Sequence, residues 1–418
     1  MSIVAGNWSR RVEIVGASPA ATLTGFVVLL NEDSLPAEIF TTALNGGGDI
    51  RICENSDGTS QLPIEVVTFD TTADTAIIWA RFPTYQAIDR NLWVFYGKSG
   101  ETQPAVTDTY GRNNVWQGYA GVWHLNEAPN NTSGGYLESS GSGFNGTGIS
   151  MSEANRNIPR SNLTGSAFNG TADYISISPD LLPSNNEQTF CMQLWAQPDS
   201  TAVDQRAMSI AEGGPTVLGL IWADAGGTNR GWAGFVSRGS SKTVGTDDNN
   251  SQQGRWDRVT FNVNDSTMSM NVNGVDGDST SSPIMGARTI GEIWIGRRTS
   301  QYFNGGLAEV RLLWANLDSD HLAAEHANQD DPGTYWAVGT PEGTGGGGTG
   351  VNFTVTGLQI TTSVNDVTVV VPTIEYYLKF PPTTGDALTN TFYVEVAGTV
   401  GVETYTFTST ETMGPFTE

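Results

Sequence analysis

Several short runs within the first 340 positions alternate apolar and polar residues with a period of two. In Phe190–Gln197, the residues Phe190, Met192, Leu194 and Ala196 fall on one face. Cys191, Gln193, Trp195 and Gln197 fall on the other. The run from Trp256 to Asn264 divides in the same way, with Val259, Phe261 and Val263 opposite Arg258, Thr260 and Asn262. Successive side chains of a strand point to opposite faces, so such runs predict strands with one face buried. Between Trp8 and about Lys98 the β-branched and aromatic runs VEIVG, GFVVLL, DIRIC, LPIEVVTF, TAIIWARF and NLWVFYG are separated by the turn-forming GGGD, NSDGT and GKSGE. A second series begins near Val115 and supplies about ten more strands. Many short strands joined by tight turns predict stacked antiparallel sheets. The expected fold class is all-β: a multi-domain chain of β-sandwiches, the central one a jelly roll.

One stretch breaks the pattern. In LDSDHLAAEHANQDDPG, Asp318 or Ser319 can cap a helix that Pro332-Gly333 ends. A second break is GTPEGTGGGGTG, residues 339–350, whose glycine density predicts a flexible tether. The expected division is therefore 1–112, an N-terminal β-sandwich; 113–338, the central sandwich; 339–350, the linker; and 351–418, a small C-terminal β-domain.

Charge narrows the partners. The chain has 44 acids against 20 bases, a formal net charge of −24. Nucleic-acid binding needs a surplus of Lys and Arg to displace counterions, so it is set aside. Only Cys53 and Cys191 are present, far apart in sequence, which predicts buried free thiols rather than a disulfide framework. The first residues lack the apolar core of a secretory leader, and no apolar run is long enough for a membrane span.

The ordered set GVWHLNE (121–127), SSGSGFNGT (139–147), GSAFNGTADYISI (165–177), FCMQLWAQPD (190–199), FNGGLAEVRLLWANL (303–317) and DPGTYW (331–336) resembles the laminin-G-like, concanavalin-A-like sandwich family. The block from NWSRR to LWVFYGKSG resembles an uncharacterised β-domain that precedes such sandwiches in bacteriophage virion and bacterial surface proteins. The tail segment is similar to short Val/Thr-rich modules of phage virion proteins.

Candidate chemistry is sparse. His321 and His326 are five apart, which on a helix separates them by about 140°, so they cannot chelate one ion from one face. Neither HExxH nor HxxEH is present. The resemblance implies a short surface helix at this position. His124 has no nucleophile near it in sequence. Glu127, Glu292 and Glu309 are lone acids in or beside strands, without the paired spacing of a glycosidase. The resemblance gives Glu309 a structural role.

No cofactor is required by these residues, and calcium is the one ion kept open. The resemblance places a calcium at a loop edge, where Glu138 stands in LESSG in place of the family's usual aspartate, with Asp173 in NGTADY as the second candidate ligand. Sugar binding needs aromatic platforms and a few placed polar groups. Trp222 and Asp224, Arg230 and Trp232, and Arg297 with Tyr302 can supply them, although aromatic residues in strands more often belong to a core.

The expected function is that of a non-enzymatic bacteriophage virion protein, a head decoration, head fibre or tail fibre. It would be made in the host cytoplasm without a signal peptide and displayed on the particle surface. Its expected partners are major capsid or tail proteins, host-surface glycans and further copies of itself. The alternatives are a bacterial adhesin or carbohydrate-binding module and, behind these, a glycoside hydrolase.

Overall fold

The computed structural model describes residues 7–86, 91–178, 189–200, 205–211, 216–224, 230–238, 240–245, 253–264, 267–281, 291–344, 392–393 and 406–407. The chain divides into two compact units, Met1–Gly347 and Gly348–Glu418. In the second unit the described residues form one antiparallel pair, Phe392 opposite Phe407 and Tyr393 opposite Thr406.

The first unit is all-β, as the alternation predicts, and holds two sandwiches. The N-terminal one stacks the three-stranded sheet Leu23–Asn31, Thr75–Tyr85, Ile64–Asp70 on a second sheet. In that second sheet Arg10–Gly16 lies beside Asn91–Tyr96, which pairs Arg51–Cys53. Val12, Ile14, Phe26, Val28, Leu30, Ile52, Ile78, Ala80, Leu92 and Val94 alternate inward to make its core. The chain returns to this sandwich after completing the other. Trp336–Val338 pairs with Gly16–Ile14, and Glu342–Gly343 pairs with Arg11–Arg10. The first residues of the glycine-rich segment are thus an edge strand, and residues 345–350 lie outside the described residues.

In the central sandwich one sheet runs Val275–Ser281, Thr267–Val272, Asp257–Asn264, Phe190–Pro198, Asn304–Leu313, Thr164–Asn169, Arg156–Asn157, with Tyr119–Trp123 also on Asn304–Leu313. The facing sheet runs Ser240–Gly245, Arg230–Arg238, Thr216–Asp224, Gln205–Ala211, Glu292–Ile295, Tyr174–Ile177, Thr147–Ile149. Phe190, Met192, Leu194, Ala196, Val259, Phe261 and Val263 share the core between them, the face that the sequence assigns them. Cys53 and Cys191 are buried free thiols.

The helix Ser319–Asp330 forms where expected. Asp318 caps it, its side chain accepting from the His321 amide at 2.8 Å. It is not a surface helix: Glu325, Asn328 and Gln329 are fully buried. Asn328 pairs with both backbone groups of Leu29 in the N-terminal sandwich, at 2.6 and 3.0 Å, and Gln329 accepts from the Trp195 indole of the central one at 3.0 Å. His321 lies edge-on to Phe26 and His326 against Trp195, so the two imidazoles serve different sandwiches. Polar residues in this helix are buried because it is wedged into the seam, which its polar sequence does not reveal.

Candidate functional site

At the seam, an apolar patch of Val27, Leu29, Trp79, Trp116, Val122, Leu163, Trp195 and Ala308 surrounds a chain of buried charges. His124 Nε2 lies 3.2 Å from Glu65 Oε2 and its Nδ1 lies 2.8 Å from Glu309 Oε1. Arg311 donates to Glu309 Oε2 at 3.0 Å and reaches Glu325 Oε1 at 3.5 Å, while Arg258 donates to Glu325 Oε2 at 2.5 Å. Glu65 also accepts from the Trp116 indole at 2.5 Å and from the Ser139 hydroxyl at 2.8 Å. The order Glu65, His124, Glu309, Arg311, Glu325, Arg258 alternates in sign and sums to zero when His124 is protonated.

Burial works against the His124 cation, but Glu309 and Glu65 reverse this and carry it up to about 10. Burial works to raise Glu309, and His124 and Arg311 hold it below its ordinary range instead. Glu309 reaches this place from a bulge: its φ is 49°, in the left-handed region, and the register with Phe190–Pro198 shifts across it. Leu125, at φ 61°, ends the alternation after Trp123 and turns the chain beside it.

A cleft of about 300 Å³ opens onto His124 and Glu309, with Thr68, Asn126, Asn157 and Asn162 around it. Two carboxylates therefore do flank one point. A hydrolytic pair needs open space of roughly 5–9.5 Å between its carboxyl groups for the scissile bond or water. Here an imidazole fills that space and bonds to both.

The second region is the outer face of the seven-stranded sheet. In Glu292–Ile295 the residues Ile293 and Ile295 enter the core, so Trp294 faces outward, opposite Ser176 and Ser209. Gly296 follows at φ 82°, where a Cβ would lie 2.5 Å from the Phe168 ring; the turn therefore requires glycine. The chain then folds back as a tight hairpin, Arg297 opposite Tyr302 and Arg298 opposite Gln301, with Thr299 at φ 49° in the turn. Residues directly opposite each other share a face of the ribbon.

On one face of this hairpin the Arg297 guanidinium lies 4.3 Å from the Tyr174 ring centroid, 5.5 Å from Trp294 and 5.6 Å from Tyr302. On the other face Arg298 and Arg206 each lie 4.8 Å from Phe235, and Arg206 donates to Gln301 at 3.2 Å. Tyr174, Trp294, Arg297, Arg298 and Tyr302 are all half-buried. Arg297 donates through Nε to the Thr299 carbonyl at 2.7 Å. Among the described residues neither Arg297 nor Arg298 has a carboxylate partner.

The structure brings Arg297 and Tyr302 together as the sequence suggests, but it separates them from the other sugar-binding candidates. Trp222 and Trp232 are corrected. They are 1% and 0% exposed, packed edge to face at 5.2 Å inside the core, with the Trp232 indole donating to Asp257 at 3.1 Å. Their alternation with Leu220 and Gly234 points them inward. Asp224 and Arg230 are opposite one another in register, and their side chains lie outside the described residues. Sequence reasoning missed Tyr174 and Trp294. The signal was available in the isoleucines that flank Trp294 on either side.

The calcium candidates are corrected too. Glu138 accepts from four backbone amides, Val122, Ser140, Gly141 and Gly143, at 2.5–3.2 Å. A ring of N–H dipoles pointing at a carboxylate repels a cation. Asp173 accepts from the Asn169 amide at 3.2 Å and from its side chain at 2.7 Å. Both acids organise their own loops, and no group of three metal-ligating side chains gathers among the described residues.

Residues 169–323 match the family profile described as the Concanavalin A-like lectin/glucanases superfamily, the laminin-G-like type read from the sequence. No curated protein sequence matches the chain. Among solved structures the chain is similar to domain 4 of AbnA, a GH43 extracellular arabinanase from Geobacillus stearothermophilus, solved with arabinotriose. The identity is 15% over 44% of this chain and 90% of that one, with a TM-score of 0.36. It is also similar to the receptor binding domain of a botulinum neurotoxin C/D mosaic serotype, at 12% identity over 51% of each chain and a TM-score of 0.39. A third is the binding domain of Paraclostridial Mosquitocidal Protein 1, at 13% identity over 49% of this chain and 52% of that one, with a TM-score of 0.37. The chain spans about half of each toxin structure.

Proposed function

We propose that this protein binds glycans without cleaving them, through the outer face of the seven-stranded sheet. The observation that carries this is the cluster of Tyr174, Trp294 and Tyr302 around Arg297. Large rings left half-exposed beside a cation with donors to spare combine apolar surface for the C–H face of a sugar with hydrogen bonds for its oxygens. The concanavalin A-like profile over 169–323 supports the choice of sugar as ligand. Glu65 and Glu309 support binding over hydrolysis, since both are occupied by His124. Titration calorimetry with host-surface polysaccharide, followed by analysis for released oligosaccharide, tests this. Heat of binding without release is expected. Release that stops in Glu309→Gln would overturn the non-catalytic part.

We further infer that the setting is the surface of a bacteriophage particle, with capsid or tail proteins as partners and host glycans as the target. The succession of the N-terminal β-domain, the central sandwich and a Val/Thr-rich tail segment supports this. Antibody labelling of purified particles in the electron microscope tests it. Label confined to the bacterial envelope would favour the adhesin reading.

A further inference from the structure

We propose that the sugar bound at the outer face carries a carboxylate, and that Arg297 selects it. This rests on the glycan-binding reading above and specifies its ligand. Three observations lead to it.

The first is the company the arginines keep. Arg10, Arg11, Arg51, Arg156, Arg160, Arg255, Arg258 and Arg311 each sit within 4 Å of a carboxylate. Arg297 and Arg298 are adjacent in sequence and, like Arg81 and Arg112, have none among the described residues; of these four only Arg297 lies among three half-buried aromatic rings.

The second is geometry. Arg297 is held from two directions, by its Nε bond to Thr299 and by three rings around the guanidinium. That leaves the Nη1 and Nη2 end as a fixed two-pronged donor. A guanidinium fork matches the two oxygens of a carboxylate, and pre-orientation lowers the entropy lost on binding. The pyranose body that bears the carboxylate then falls beside Trp294 and Tyr302.

The third is the field of the whole protein. A net charge of −24 repels a dense polyanion at long range. Within the Debye length of about 8 Å the Arg297 cation dominates. The face therefore suits an isolated carboxylate on an otherwise neutral glycan. It does not suit a heavily sulfated chain. Uronic acids and nonulosonic acids share this chemistry.

The test is an array of neutral, uronate-bearing, nonulosonate-bearing and sulfated oligosaccharides, probed with the full chain. Titrations of the strongest ligand and its carboxyl-reduced derivative follow, using the wild type, Arg297→Gln, Arg297→Lys and Trp294→Ala. The carboxylated sugars are expected to bind, and the uronate and nonulosonate spots to show which source is preferred. Arg297→Gln should weaken binding of the acidic sugar by about tenfold to a hundredfold, the range of a charge-assisted hydrogen bond. Arg297→Lys, which keeps the charge and loses the fork, should recover only part of this. The carboxyl-reduced sugar should bind weakly and equally to wild type and Arg297→Gln. Unchanged melting temperatures of the variants establish that folding is intact.

Preferred binding of neutral or sulfated sugars, lost in Trp294→Ala but insensitive to Arg297→Gln, would overturn the carboxylate and leave the glycan-binding face standing. No ligand on the array, or a ligand indifferent to Trp294→Ala, would overturn the face itself.

Discussion

In the buried chain of charges at the seam between the sandwiches, each of the three cations has its carboxylate. His124 stands between Glu65 and Glu309, Arg311 between Glu309 and Glu325, and Arg258 against Glu325, all buried. On the outer face of the central sandwich Arg297 and Arg298 have rings for neighbours and, among the described residues, no carboxylates. Both regions combine arginine with aromatic residues: Arg311 lies 4.6 Å from Trp79 and 4.7 Å from Trp116, much as Arg297 lies against Tyr174. What differs is whether a carboxylate answers the charge among the described residues. A neutralised, buried network fixes how two sandwiches meet. Arginines whose neighbours among the described residues are rings, at a half-buried surface, keep donors free for the ligand proposed above. By the usual criterion of perturbed titration in a cleft, His124 would be chosen as the functional centre. Its saturated hydrogen bonding argues for a structural clamp.

The comparison breaks most sharply under mutation of the seam. Arg258→Met should cost about 3–5 kcal/mol, because Glu325 is left as a buried charge short of its nearest partner. Urea unfolding followed by circular dichroism measures this. Arg297→Gln should change stability by no more than about 0.5 kcal/mol in the same experiment. Equal losses for the two variants would erase the distinction drawn here.

A smaller effect is expected from Asn328→Ala, about 1–3 kcal/mol, since it leaves the Leu29 N–H unpaired in the seam, while the Leu29 carbonyl keeps the Trp336 indole as donor.

The pH profile sharpens the same contrast. His124 is raised to about 10, so its contribution is complete below its ordinary value near 6.5 and lost as pH climbs towards 10. His326 is lowered to about 4 by burial, then by Arg258, so its neutral form stabilises above 6.5 and that contribution is lost as pH falls towards 4. Glu325 is pulled down to about 2: burial opposes its charge, and Arg258, His321 and Arg311 outweigh burial. Its contribution is present above the ordinary carboxylate range and lost as pH falls towards 2. Melting temperature plotted against pH should peak near 6.5 and fall on both sides. A plateau extending from 7 to 10 would show that His124 is not held as a cation.

The smallest effect concerns calcium. With Glu138 taken up by four amides, addition of a chelator should leave the melting curve where it is.

The strands were legible in the sequence because alternation reports burial directly. Ile293 and Ile295 declare which way Trp294 points, and Leu220 and Trp222 share a face for the same reason. Arg297 and Tyr302 are named together from the sequence, but the hairpin that pairs them was not legible in it. Nor was the seam. Glu65 and Glu309 are more than 240 residues apart, and a lone glutamate on a strand carries no mark of the partner that will neutralise it. The helix Ser319–Asp330 misled for a related reason. Its composition suits solvent, and only the arginines and backbone groups of other strands make its burial tolerable. Glu138 stands as a cation candidate in the sequence because the family resemblance places a calcium at its loop edge, whereas the amides that bind it are invisible to composition.

The central claim is that the Arg297 face, and not the His124 cleft, is where a ligand docks. Hydrogen exchange with and without saturating glycan tests it directly. The account predicts added protection confined to Tyr174–Ile177, Glu292–Ile295 and the Arg297–Tyr302 hairpin. Protection at Thr68, Asn126, Asn157 and Asn162 around the His124 cleft, with none at the hairpin, would contradict it.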